Sequence, residues 1–158
     1  MLVDFPIFGA GINYFPTEIS ALRVFEPRYL LLIGDIIKDN KNFLVSKNLE
    51  EIHQTVSEVR IIEHQDISNA EQLIIIECIK VHKIKKIIIN SEYPICEAEE
   101  FNEIGLPPGI DELAVLEKSI SRLIAKLIES GINLVIPEFI VNYENRLNKL
   151  HELCITTP

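Results

Sequence analysis

The sequence predicts an α+β protein: a β-rich unit containing one helix, followed by a smaller helical piece. Three observations carry this. Between residues 42 and 101, short Ile- and Val-rich runs are separated by polar turns, as in a barrel or sandwich. One stretch after Pro27 switches to helical spacing. Beyond Leu106-Pro107-Pro108-Gly109, the apolar residues recur only at helical spacing. With 158 residues and 47% hydrophobic residues, the chain has enough apolar material for a real core.

Taken in order, residues 2–25 read as extended pieces punctuated by Pro6, Gly9, Gly11 and Pro16, with a bend at Gly9-Ala10-Gly11 and a strand over 20–25. Pro27 suits a first helical position, because its missing N–H is one the helix would not use. Tyr29, Leu32, Ile33, Ile36 and Ile37 then form the stripe of an amphipathic helix, which Asp39-Asn40-Lys41-Asn42 ends in a turn. Strands follow over 43–46, 56–63, 73–79 and its continuation 80–89, and 94–98. Ser68-Asn69-Ala70-Glu71 is the turn of a hairpin joining 56–67 to 72–89.

Past the Pro-Pro-Gly connection, Asp111 is placed to cap a helix whose apolar face is Leu113, Leu116, Ile120, Leu123, Ile124, Leu127 and Ile128, with Gly131 at its end. Pro137 is read as opening a last helix carrying Phe139, Ile140, Tyr143, Leu147, Leu150 and Leu153. The expected domains are a β unit over 1–104 and a helical subdomain over 110–158.

Composition narrows the function. Fifteen Lys and Arg against 24 Asp and Glu give a net charge of −9, which opposes the phosphate neutralisation that nucleic-acid binding rests on. The single basic cluster, Lys80-Val81-His82-Lys83-Ile84-Lys85-Lys86, reads either as phosphate contact or as a solvated strand face that discourages aggregation. The acidic run Glu97, Glu99, Glu100, Glu103 reads as a wet surface. Three cysteines without a CxxC pair point to reduced thiols and a cytoplasmic location, and Cys78 reads as an inert buried thiol. The N-terminus lacks a signal-peptide pattern, and no apolar run is long enough to span a membrane.

Chemistry-bearing patterns are missing. No HExxH, zinc-ligand spacing, nucleophile elbow or P-loop lysine is present, and Gly9-Ala10-Gly11 lacks the strand–loop–helix setting of a dinucleotide site. His64 and Asp66, two apart on a strand, are read as a surface pair rather than a metal site. No metal, cofactor or catalytic residue is expected, and the chain is read as a non-enzyme.

The segment FPIFGAGINYFPTEISALRVFEPRYLLLI, residues 5–33, resembles the start of the Lon protease N-terminal, substrate-binding domain. The family pattern is roughly F-P-L, a glycine, then F-P-x-x-x-x-x-L-x-I/V-F-E-x-R-Y. It is met at Phe5-Pro6-Ile7, Gly9 or Gly11, Phe15-Pro16, Leu22, Val24-Phe25-Glu26 and Arg28-Tyr29. Glu92-Tyr93-Pro94 resembles a later strand of the family, and Asn145-Arg146-Leu147-Asn148-Lys149-Leu150 its terminal helix. Where the family carries glycine-threonine and G-x-x-R-F, this chain has Ser57-Glu58 and Cys78-Ile79-Lys80-Val81-His82.

The resemblance implies a PUA-like β pseudo-barrel with a small C-terminal helical subdomain. It also implies a bacterial, stand-alone protein- or peptide-binding module of protein quality control, without ATPase or protease domains. Unfolded or degron-bearing proteins or peptides would be its partners, and self-association stays open. RNA binding, which occurs in the wider PUA-like group, is the alternative. Phe15, Pro16, Phe25, Glu26, Arg28 and Tyr29 are carried over as candidate binding positions, with structural roles expected to come first.

Overall fold

The computed structural model describes residues 1–102 and 106–158. The chain divides into two compact units, residues 1–103 and 104–158. The first contains strands β1 (Leu2–Gly9), β2 (Ile19–Val24), β3 (Phe43–Ser46), β4 (Thr55–Ser68), β5 (Glu71–Ile88) and β6 (Ile95–Glu100), with helix α1 (Pro27–Asp39) between β2 and β3. The second contains α2 (Ile110–Glu129) and α3 (Arg146–Thr156).

The six strands form one barrel-like sheet in the order β2-β5-β4-β3-β1-β6, and β5 also pairs with β6, closing a ring of five. β1 runs parallel to β3, with Ile7 beside Leu44, and antiparallel to β6. The other pairings are antiparallel. β5 is long enough to serve two neighbours on one flank: residues 72–77 take β2, and 82–88 take β6. The two sequence runs 73–79 and 80–89 are thus one strand.

Two apolar clusters follow from the period-two alternation of the strands. Ile7, Leu44, Val56, Ile84, Cys96 and Ala98 pack together as one cluster. Their neighbours in sequence, Phe8, Phe43 and Val45, belong to the other, which α1 joins through Tyr29, Leu32, Ile33 and Ile36. Each fully buried Leu or Ile contributes about 1.5–3 kcal/mol, so this stripe holds α1 in place. The helix starts at Pro27 with Glu26 as an extended N-cap, and ends where Asn40 turns left-handed (φ 52°) and donates its N–H to the Ile36 and Ile37 carbonyls.

In the second unit Leu113, Ile120, Ile124 and Leu153 form the core, joined by Phe139, Tyr143 and Leu150. Two expectations are corrected here. The cap of α2 is Gly109 rather than Asp111: the Glu112 carboxylate accepts the Gly109 N–H at 3.3 Å, and Asp111 lies inside the first turn. Pro137 does not open the last helix, which begins at Arg146 with Asn145 as cap. Residues 139–143 are held outside helical geometry. The Ile140 and Val141 amides both donate to Glu152 Oε2 (3.0 and 2.7 Å), and the Phe139 and Tyr143 rings lie against the Lys149 ammonium at 5.1 and 4.8 Å.

Candidate functional site

Four of the six candidates, Phe25, Glu26, Arg28 and Tyr29, fall at the N-terminus of α1, where Gly9 of the sequence pattern meets Tyr29. Tyr29, only 2% exposed, stacks on Phe8 with ring centroids 4.1 Å apart, and its hydroxyl oxygen accepts the Gly9 N–H at 3.1 Å. A Cβ on residue 9 would lie 3.0 Å from Leu49 Cγ and 3.2 Å from the Tyr29 hydroxyl, so glycine is what lets the strand end approach the ring. Arg28 lies over the Tyr29 ring at 4.6 Å and donates to Glu26 at 3.1 Å.

Phe25, Glu26 and Tyr29 line a cleft of about 190 Å³ together with Phe8, Gly9, Ala10, Leu22 and Arg23. Phe25 is 64% exposed. Phe15, Pro16 and Arg28 do not line that cleft. Phe15 and Pro16 belong to a turn in which the Phe15 N–H donates to the Glu18 carboxylate at 2.8 Å and Thr17 has φ 78°.

A larger groove, of about 670 Å³, lies between the C-terminal end of α1 and β4. Ile36 and Ile37 come from the helix, Ile61 and Ile62 from β4, and Ile79 from β5. The titratable groups lining it are Lys41, Arg60 and His64; no carboxylate does. His64 therefore faces a groove, while Asp66 accepts from Gln72 at 2.8 Å. None of these groove residues was among the candidates, because they come from three elements separated in sequence.

The groove connects to a buried polar network. Asn42 donates to Glu58 Oε1 at 2.8 Å, and Glu58 Oε2 meets His82 Nε2 at 2.5 Å. His82 is buried and packs against Phe5 at 5.0 Å. The hydrogen bond from His82 holds the Glu58 carboxyl below the usual carboxylate range, against the opposing effect of burial.

The basic cluster is neutralised by its neighbour strand. Lys80 pairs with Glu100 at 3.3 Å and Lys85 with Glu99 at 2.8 Å, while Lys83 and Lys86 lie in register with Glu99 and Glu97. Glu97, Glu99 and Glu100 are thus the cross-strand complement of the basic run, and Glu103 lies outside the described residues. Burial pushes the Cys78 and Cys96 thiols up to about 12, out of the nucleophilic range. Among the described residues, no cluster of three or more His, Cys, Asp or Glu is placed to hold a metal ion. No helix among them is long and apolar enough to cross a membrane.

A barrel-like six-stranded sheet with one packed helix, tied to β1 by the Gly9–Tyr29 contact, defines a domain class. The chain belongs to the ATP-dependent protease La (LON) substrate-binding domain family, whose profile matches residues 6–156. Solved structures agree in fold. The N-terminal domain of Mycobacterium avium complex Lon protease is similar with a TM-score of 0.62 and 12% identity, covering 98% of this chain and 96% of that one. The Lon N-terminal domain protein from Xanthomonas campestris is similar with a TM-score of 0.59 and 22% identity, covering 78% of this chain and 74% of that one. A comparison with curated protein sequences returns no match.

Proposed function

We propose that the chain binds exposed segments of other polypeptides, as a recognition module of protein quality control in a bacterial cytoplasm, and performs no chemistry of its own. The observation that carries this is the isoleucine-lined groove at the end of α1, open to solvent in a domain of the Lon substrate-binding family. Isoleucines set among Asn40, Lys41, Asn42, Arg60 and His64 offer a peptide both apolar contact and hydrogen-bonding groups. The β6 carboxylates beside Lys80 and Lys85 support the same reading, since they oppose the approach of a phosphate to that face. Phe15, Pro16, Phe25, Glu26, Arg28 and Tyr29 serve chiefly to build the fold on this reading.

The test uses a defined client. Reduced, carboxymethylated α-lactalbumin, which cannot refold, is passed over the immobilised chain beside native α-lactalbumin. Selective retention of the unfolded form, persisting at high salt and after nuclease treatment, is the expected result. Equal retention of both forms, or of neither, overturns the proposal.

A further inference from the structure

The groove has a property that a simple apolar patch lacks: one wall is a bare strand edge. β3 begins at Phe43, opposite Val59, and covers β4 only over residues 57–59 on that flank. β4 continues to Ser68 with β5 on its other side and, among the described residues, no strand on this one. From Ile62 onward β4 is exposed, Ile62 itself at 46%. A row of backbone N–H and C=O groups without ladder partners is a template for another strand.

The charge lining selects the end of the occupant that lies in the groove, since farther along the edge β4 carries the exposed Glu63 and Asp66. In a chain of net charge −9, the titratable groups on this groove are two cations and a histidine. Arg60 donates to Glu77 Oε2 through both Nε (2.7 Å) and Nη2 (2.5 Å), so only the outer side of its guanidinium is left for a further acceptor. Lys41 meets Asp39 only at 3.6 Å, with both side chains largely in water. Such a contact is weak and screened, so the ammonium can turn to a carboxylate arriving in the groove. Ile62, at the register shift between Ile61 and Glu63, and Ile79 on β5 are the exposed isoleucines of the groove and offer it apolar surface.

We propose that an extended polypeptide segment adds as a strand to the free edge of β4, alternate apolar side chains entering the isoleucine groove and an Asp or Glu side chain meeting Lys41 and Arg60. This rests on the peptide-binding reading above and specifies its mode: main-chain pairing gives affinity, while the pockets and cations select an acidic-apolar sequence.

The probe is a short fluorescein-labelled peptide with valine at alternate positions, threonine between them and glutamate at one end, followed by anisotropy with the full chain. Binding is expected to be lost when alternate peptide amides are N-methylated, and to weaken about tenfold with lysine in place of glutamate or with Lys41→Glu, which lies at an exposed turn. Hydrogen exchange is expected to show new protection over residues 62–68. Unchanged binding of the N-methylated or lysine-ended peptide, or protection elsewhere, overturns the inference. So does displacement by poly(U), or protection of residues 62–68 by dimerisation without peptide. If the peptide does not bind while carboxymethylated α-lactalbumin does, this mode fails and the broader reading stands; if neither binds, both fail.

Discussion

The Gly9 amide donates to the Tyr29 hydroxyl at 3.1 Å, tying the end of β1 to the first turn of α1 across twenty residues of chain. The contact is possible because Gly9 lacks a Cβ and because Pro27 starts the helix where Tyr29 faces inward. The glycine and tyrosine of the recognisable sequence pattern are therefore two ends of one bond.

Tyr29→Phe is expected to destabilise the fold by about 1 kcal/mol, the value of one hydrogen bond, since the ring still stacks on Phe8. Gly9→Ala forces Leu49 or Tyr29 to shift and is expected to cost about 1–3 kcal/mol. The double variant should cost less than the sum, because both changes break the same contact. Urea unfolding of the four proteins measures this, and strict additivity would show that the contact carries no energy. Glu26→Ala should cost under about 1 kcal/mol, as its pair with Arg28 is roughly half exposed.

Lys149 is 2% exposed and is held by Glu117 at 2.8 Å and Glu152 at 2.9 Å. Burial pulls its pKa down, but the hydrogen bonds to the two carboxylates outweigh burial and raise it. Lys149→Met leaves Glu152 buried without its cation and is expected to cost about 3–5 kcal/mol. Glu152 also anchors the Ile140 and Val141 amides, so the loss should spread to residues 139–143. Hydrogen exchange in the full chain checks this: amides of α3 and of residues 140–141 should lose protection together, while those of β3 and β4 keep theirs.

Local physics was readable in the sequence, and long-range pairing was not. The stripe from Tyr29 to Ile36 obeys helical periodicity, and the hairpin turn at Ser68–Glu71 stands between two Ile-rich runs, so α1 and the β4–β5 hairpin follow from spacing alone. Pro137 misled because proline marks both helix starts and extended loops; the choice depended on Glu152 and Lys149, more than ten residues away. The lysine run reads as phosphate contact or a solvated strand face and the glutamate run as a wet surface, and only the β5–β6 register, with its shift between Ile84 and Lys86, sets Glu97, Glu99 and Glu100 opposite residues 82–86. The groove was illegible for the same reason: Ile36, Ile62 and Ile79 show no pattern until three elements are packed.

The thiols give a chemical check on the burial of the β unit. Cys78 and Cys96 are buried and their pKa values are raised to about 12 by desolvation, whereas Cys154 is exposed. Treatment of the native chain with Ellman's reagent at pH 8 is expected to release one equivalent of thionitrobenzoate quickly. Two more should follow only on adding denaturant. Fast reaction of all three thiols in native buffer would contradict the packing of Cys78 beneath α1 and of Cys96 with Ile7 and Leu44.

Glu58 contributes to the loss of stability in acid. Its folded pKa is depressed, first by the hydrogen bond with His82 and further by Asn42, so its contribution is fully present above the unfolded carboxyl value of about 4.3. As pH falls below that value and through the lower folded one, the carboxylate is protonated and the contribution is lost. Glu58→Gln keeps the shape but removes the charge, and is expected to cost about 1–3 kcal/mol at neutral pH. Urea midpoints measured from pH 7 down to pH 3 should therefore converge for the two proteins as acid is added. A gap that stays constant across that range would mean that the charge on Glu58 contributes nothing and that only the shape of the side chain matters.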